Sequence, residues 1–202
     1  MSYTGKRFLD LAVAIPAFVL TSPIQALAAV AVRVSMGPPV FFRQQRPGLL
    51  GKPFEMIKLR TMRPAGPSGA TDDASRLTSV GRFLRATSID ELPALLNVIR
   101  GDMSLVGPRP LLMQYLDEYT PEQARRHEVK PGLTGLAQVM GRNAISWSAR
   151  FTFDLDYVDK HSLRRDLHIL GLTTLRVFQR RGIAAPGEAT MPRFRAGEGV
   201  EK

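Results

Sequence analysis

Two adjacent carboxylates, Asp90 and Glu91, lie in the segment Ser88-Ile89-Asp90-Glu91-Leu92-Pro93 of a chain whose formal net charge is +10. Acids side by side can divide labour at phosphorus, one attacking while its neighbour holds Mg²⁺ or accepts a proton. A metal and nearby arginines would neutralise the phosphoryl charge that otherwise repels an attacking carboxylate. Arg85, just upstream, is a candidate clamp. So is Arg109, which lies between Pro108 and Pro110 and can present a planar fork from a stiffened backbone. A structural reading competes, because Ser88-x-x-Glu91 has capping-box spacing and the acids could simply start a helix. Pro93 would then sit inside that helix and clash with an earlier carbonyl, whereas a start near Leu92 accommodates it. The later start leaves both acids at a positive helix end, where anions are favoured. Spacing alone leaves capping and catalysis equally open.

Gly141-Arg142-Asn143-Ala144-Ile145-Ser146-Trp147 combines a flexible glycine, a cation, an amide and an aromatic ring, a composition that can read a nucleotide or make an ordinary loop. His127, His161 and His168 have no metal-ligand spacing. No Walker A loop or GxGxxG element is present, so ATPase and Rossmann readings lack support. The absence of cysteine excludes a disulfide scaffold and a thiolate zinc site.

These groups must be held near a membrane. From Phe8 to Met36 the chain is almost wholly apolar, interrupted by Asp10, Pro16, Thr21-Ser22-Pro23, Gln25 and Arg33. A signal peptide is disfavoured because the apolar stretch continues past Ala26-Leu27-Ala28-Ala29. Leu11 to Val32 is long enough to cross a bilayer. Pro23, however, removes a helix hydrogen bond near the middle, and Ser22 can cover a freed backbone group. Positive charge flanks both ends, with Lys6-Arg7 before and Arg33, Arg43 and Arg46 after, so neither end is sent across. A re-entrant helix–break–helix over residues 1–36, broken at Ser22-Pro23, satisfies both observations.

The 202 residues suffice for one compact domain plus an appendage, and the composition (44% hydrophobic, 23% charged) is globular. The basic residues favour anionic partners but are scattered from Lys6 to Arg195, which weakens a nucleic-acid reading. Val40-Phe41-Phe42 and Phe54 to Leu59 read as strands around a turn-rich segment. Met62 to Ser75 reads as loop, and Leu77, Val80, Phe83 and Leu84 fall at helical spacing. Leu92 to Ile99 marks a short helix, and another is expected from Leu111 through Arg125-Arg126. After a turn at Lys130 to Gly135, Leu136 to Met140 is expected to be a short strand and Trp147 to Lys160 a helix. Arg164 to Arg181 reads as an amphipathic helix with basic flanks, suited to an ordinary core or to the headgroup plane. The last twenty residues look irregular. The expected fold is α/β and membrane-monotopic: the hairpin, a small β element and a mostly helical catalytic domain over 37–182 with interfacial amphipathic helices, then a tail over 183–202.

Taken together these segments resemble the bacterial sugar transferase family, the small monotopic phosphoglycosyl transferases. The resemblance rests on Ser22-Pro23, Phe42-Arg43-Gln44-Gln45-Arg46-Pro47-Gly48, Lys58-Leu59-Arg60-Thr61-Met62, Asp90-Glu91-Leu92-Pro93 and Gly101 through Pro110. It continues through Lys130 to Val139 and Gly141-Arg142-Asn143. It implies transfer of a phospho-sugar from a UDP-sugar to undecaprenyl phosphate with release of UMP. Asp90 would be the nucleophile that forms a covalent intermediate, and Glu91 would assist with Mg²⁺ or the acceptor phosphate. Lys58, Arg85, Arg109, Arg142 and Asn143 are the expected substrate-binding residues. The implied setting is the cytoplasmic face of the bacterial inner membrane, with both termini cytoplasmic, inner-membrane lipids and downstream glycosyltransferases as partners, and no nucleic acid. The tail from Gly187 to Phe194 resembles the branch that initiates Pgl-type protein glycosylation, although Met140 departs from the polar residue many relatives carry. The rival reading is a membrane-tethered basic module that binds anionic lipid or nucleic acid without catalysis.

Overall fold

A computed structural model describes residues 3–64, 73–141, 145–179 and 194. Lys6–Met36 forms one 31-residue helix, α1. One stripe of it is buried, running through Lys6, Asp10, Ala14, Ala28 and Val32, with Ala17, Phe18 and Ala29 partly buried along the same line. The other side leaves Phe8, Val19, Leu20, Leu27 and Val34 between 61% and 83% exposed. A long helix whose most apolar 18-residue stretch has a mean hydropathy of 1.8, with an uncovered apolar face, has the length and composition for membrane association.

Both ends of α1 are tied to the same domain. At the start, Lys6 Nζ donates to Asp166 Oδ2 (2.5 Å) and Val106 O (2.9 Å). Asp10 Oδ1 accepts from Ser104 Oγ and from the Leu105 amide, each at 2.9 Å. At the far end, Arg60 donates to the carbonyls of Met36 (2.7 Å), Gly37 (2.6 Å) and Pro38 (3.1 Å). It thereby supplies donors that the last carbonyls of a helix lack.

The interruption expected at Pro23 is not a gap: the backbone stays helical from Lys6 through Met36. Proline cannot donate to Val19 O, and Ser22 Oγ does so instead at 2.8 Å. Thr21 Oγ1 likewise donates to Ala17 O at 2.6 Å.

Strands β1 (Phe41–Pro47) and β2 (Pro53–Leu59) form an antiparallel ribbon in which Phe42 faces Lys58 and Gln44 faces Met56. A single turn, α2 (Asp73–Arg76), precedes α3 (Ser79–Thr87). A 3₁₀ segment, Ile89–Ala94, then leads into α4 (Leu95–Arg100) and β3 (Ser104–Val106). Short turns follow at Met113–Glu118, at α5 (Pro121–Ala124) and at Arg125–His127. Strand β4 (Gly132–Thr134) pairs parallel to β3. The remaining helices are α6 (Leu136–Met140), α7 (Trp147–Lys160) and α8 (Leu163–Gln179). The main core gathers Met56 of β2, Leu95 and Val98 of α4, Leu105 and Val106 of β3, Tyr157 of α7 and Ile169 of α8.

Three expected elements are corrected, the first being the turn at Lys130 to Gly135, where Gly132–Thr134 is strand β4. Leu111 to Arg126 is no single helix: Tyr119 and Thr120 are extended, and Thr120 caps a fresh turn with Pro121 at its start. Leu136–Met140 is helical, following an extended Gly135; five residues are too few for periodicity to distinguish the two. Helix α8 is apolar on two sides, with Ile169 buried in the core while Leu163, Leu167 and Leu175 stay about half exposed beside Arg164. The tail lies outside the described residues apart from Phe194, whose buried ring sits among Tyr115, Tyr119, Trp147 and Phe151.

Candidate active site

Helix α3 lies against Thr61 at the end of the ribbon because residue 81 is glycine: a Cβ there would stand 1.8 Å from Thr61 O. Gly81→Ala is therefore expected to lower the melting temperature by roughly 5–10 °C, as overpacking a close contact does, in a thermal melt of detergent-purified protein. The chain leaves α3 through Ser88, which adopts a left-handed conformation at φ 57°. Its side chain makes no cap hydrogen bond, so the capping box that its spacing allows does not form. The Glu91 side chain turns away from Ser88 toward two cations.

Lys58, paired with Phe42 across the ribbon, donates from Nζ to Glu91 Oε1 at 2.7 Å. Arg109 donates from both prongs of its fork, Nη2 to Oε1 at 2.5 Å and Nη1 to Oε2 at 3.3 Å. Burial opposes ionisation of Glu91, but the charges of Arg109 and Lys58 and their hydrogen bonds outweigh it and hold the carboxyl well below its ordinary range. Arg109 in turn is held cationic, chiefly by Glu91.

Asp90 is the opposite case. It is 8% exposed, and among the described residues no donor hydrogen-bonds to its carboxylate. Burial first, and the negative charge of Glu91 second, push its pKa up to about 6 against the pull of Lys58, Arg85 and Arg109. One member of the pair is thus neutralised and fixed, the other desolvated and unengaged. Pairs of acids that take different roles in one site are perturbed in opposite directions in this way.

Arg85 acts on Asp90 through its charge alone, since its Nε donates to Thr61 Oγ1 (3.0 Å) and its Nη2 lies 2.9 Å from the Met62 sulfur. Arg142 and Asn143 lie outside the described residues. Sequence reasoning overlooked Asn97, a fully buried amide on α4. Its Oδ1 accepts from the Ile57 amide (3.1 Å), and its Nδ2 donates to Glu55 O (2.8 Å) and Asp102 Oδ2 (3.1 Å). Asn97 fixes β2 and with it the neighbouring Lys58; a polar residue within Leu95-Leu96-Asn97-Val98-Ile99 was the available signal. Asn97→Leu is expected to lower the melting temperature by roughly 5 °C or more in the same assay, because two backbone groups of β2 lose their partner.

The sequence pattern of the family described as "Bacterial sugar transferase" matches residues 1–180. The chain belongs to the bacterial sugar transferase family. This sugar transferase is 53% identical over 191 residues to an uncharacterized sugar transferase, EpsL, of Bacillus subtilis, covering 94% of this chain and 95% of that one. It is 49% identical over 179 residues to a UDP-glucose:undecaprenyl-phosphate glucose-1-phosphate transferase of Caulobacter vibrioides, covering 82% of this chain and 66% of the relative. The protein of that name in Escherichia coli is 39% identical over 185 residues, covering 86% of this chain and 40% of the relative. The transferase thus spans nearly the whole Bacillus relative but less than two thirds of those two glucose-1-phosphate transferases.

Proposed function

We propose that the protein moves a hexose 1-phosphate from a UDP-hexose to undecaprenyl phosphate at a membrane surface and releases UMP. An Asp90 carboxylate oxygen attacks the phosphorus bonded to the sugar, and the bond from that phosphorus to the bridging oxygen breaks. UMP leaves with that oxygen. A phosphate oxygen of undecaprenyl phosphate then attacks the same phosphorus, the aspartyl–phosphate bond breaks, and Asp90 regains its carboxylate. The product is a hexosyl diphosphate lipid that initiates glycan assembly.

The unengaged Asp90 carboxylate carries this reading. A nucleophile that is largely desolvated and, among the described residues, accepts no hydrogen bond has little to shed before attack. Glu91, its charge already met by Arg109 and Lys58, adds less repulsion to an incoming diphosphate. The names of the relatives support the donor and the acceptor. Adjacent carboxylates are hard donors of the kind Mg²⁺ takes together with substrate phosphates. No group of three or more His, Cys, Asp or Glu side chains placed to hold a metal occurs among the described residues. A cation held there by Asp90 and Glu91 would fill its remaining positions from substrate and water. Bound there, Mg²⁺ would neutralise phosphate charge.

Helix α1 supports a placement on one face of the membrane. A domain lies on one side of a bilayer, and both ends of α1 are bonded to that domain. A re-entrant path with Ser22-Pro23 at its deepest point keeps both ends on one side. We assign residues 1–36 to this element, 37–182 to the catalytic domain and 183–202 to the tail, with both termini on the cytoplasmic face of the inner membrane. The half-exposed leucines of α8 suit the same interface.

The test is UMP release from UDP-glucose, UDP-galactose and other UDP-sugars by purified protein with undecaprenyl phosphate and Mg²⁺. Release with one donor that vanishes in Asp90→Asn, and a mass gain of one hexose phosphate on the Asp90 peptide, are expected. Release that survives Asp90→Asn defeats the covalent route, and no release with any donor favours the binding module. Chelation of divalent cations is expected to stop release and added Mg²⁺ to restore it.

A further inference from the structure

Arg109 reaches Glu91 from a loop that cannot hold itself. Pro108 and Pro110 have no N–H, so local hydrogen bonding is impoverished there and the carbonyls need donors from elsewhere. Three arrive from separate parts of the fold. The Gly132 amide of β4 donates to Pro108 O at 2.9 Å, Arg126 Nη2 to Arg109 O at 2.8 Å, and Arg46 Nη1 of β1 to Pro110 O at 3.5 Å. Of these, the bond from Arg126 is the short charge-assisted one, and it lands on the residue whose side chain grips Glu91.

Arg126 is itself fixed. It is 2% exposed, and its Nε and Nη2 donate to Asp154 Oδ2 of α7 at 3.1 and 2.6 Å. The rings of Tyr119 and Phe151 flank its guanidinium carbon, each centroid 5.9 Å away. A buried arginine is tolerated only when paired, and Asp154 supplies the charge. The same guanidinium has a donor to spare for the Arg109 carbonyl. Lysine has no fork with which to span both acceptors from one rigid plane.

We propose that Arg126 and Asp154 are positioning residues: held by α7, they set where the Arg109 fork meets Glu91. The kinetic part of this inference rests on the transfer reaction proposed above. A double-mutant cycle on the full chain tests it, with Arg126→Lys, Arg109→Lys and the double variant compared for UMP release. Arg126→Lys is expected to lower kcat about 10–100-fold, as misplacing a catalytic group does, with KM for the UDP-sugar little changed. In the Arg109→Lys background the same change is expected to cost less than about threefold, since its effect passes through a group already altered. Losses that multiply in both backgrounds overturn the proposal.

Amide hydrogen exchange provides a readout independent of turnover. Exchange at Arg109 and Leu111 is expected to accelerate in Arg126→Lys without substrate, and unchanged exchange there counts against the proposal. If Arg126→Lys does not fold, Asp154→Asn, which keeps an acceptor for the guanidinium, replaces it in both measurements. Failure of both variants to fold makes the pair a structural element only and overturns the positioning role. Absence of UMP release from the wild type would count against the transfer reaction, and the exchange comparison would still decide the positioning role.

Discussion

Asp90→Asn is expected to abolish UMP release while raising the melting temperature. The loss follows from chemistry: an amide does not attack phosphorus at a useful rate, and removing an enzyme nucleophile costs roughly 10³–10⁶-fold in turnover. The gain follows from linkage. Folding lifts the pKa of Asp90 from 3.8 to about 6. The folded protein therefore holds this proton more tightly than the unfolded chain, and stability declines as pH rises from about 4 through 6. Above that range the buried carboxylate costs the fold about 2–3 kcal/mol, which the neutral asparagine does not. A melting temperature raised by roughly 5–10 °C near neutral pH is expected, shrinking toward zero near pH 4. Glu91 has the opposite linkage: its depressed pKa adds stability at neutral pH that fades as pH falls below the ordinary glutamate value. Thermal melts of wild type and Asp90→Asn across that pH range, in divalent-free buffer, make the comparison. Equal melting temperatures at neutral pH would mean that the Asp90 carboxylate is not destabilised by its site.

Lys6→Met is expected to be the most damaging change in α1. Asp166 is fully buried, and Lys6 is the cation bonded to it. Without that partner Asp166 keeps, among the described residues, only hydroxyl donors, Tyr157 to Oδ1 at 2.7 Å and Tyr3 to Oδ2 at 2.8 Å. An uncompensated buried charge costs about 3–5 kcal/mol, which lowers the melting temperature of a chain this size by roughly 10 °C. Lys6→Met/Asp166→Leu is expected to recover much of the loss, because no lone charge remains and Tyr157 retains the Val106 carbonyl as acceptor at 3.0 Å. A single variant that melts like wild type would remove the pair as an anchor of α1.

The site was legible in part. Asp90 and Glu91 stood out by residue type, and capping was the competing reading until Ser88 proved left-handed and uncapped. The sequence could not bring Lys58 and Arg109 to Glu91 by physics alone. They lie 33 and 18 residues away, and their arrival depends on ribbon register and on a proline-flanked loop. Arg109 was named from its proline-flanked setting as a phosphate clamp and Lys58 as a substrate-binding residue, and neither was set beside Glu91. Composition revealed α1, yet Lys6 read as a flanking charge and Asp10 as an interruption. Their spacing of four residues puts both on one helix face, and that face is buried. The errors at Leu111 to Arg126 and Leu136 to Met140 fell where segments are short and prolines or glycines reset the chain locally.

The bond between Lys6 and Asp166 joins residues 160 positions apart. At ordinary rates of translation, the partner of Lys6 is made roughly 10–30 s after Lys6 itself. Throughout that interval the Lys6 ammonium lacks its carboxylate partner, while Ser104 and Leu105, the partners of Asp10, are made earlier. The docking of α1 can be completed only after α8 has been synthesised, so the order of biogenesis is built into the fold.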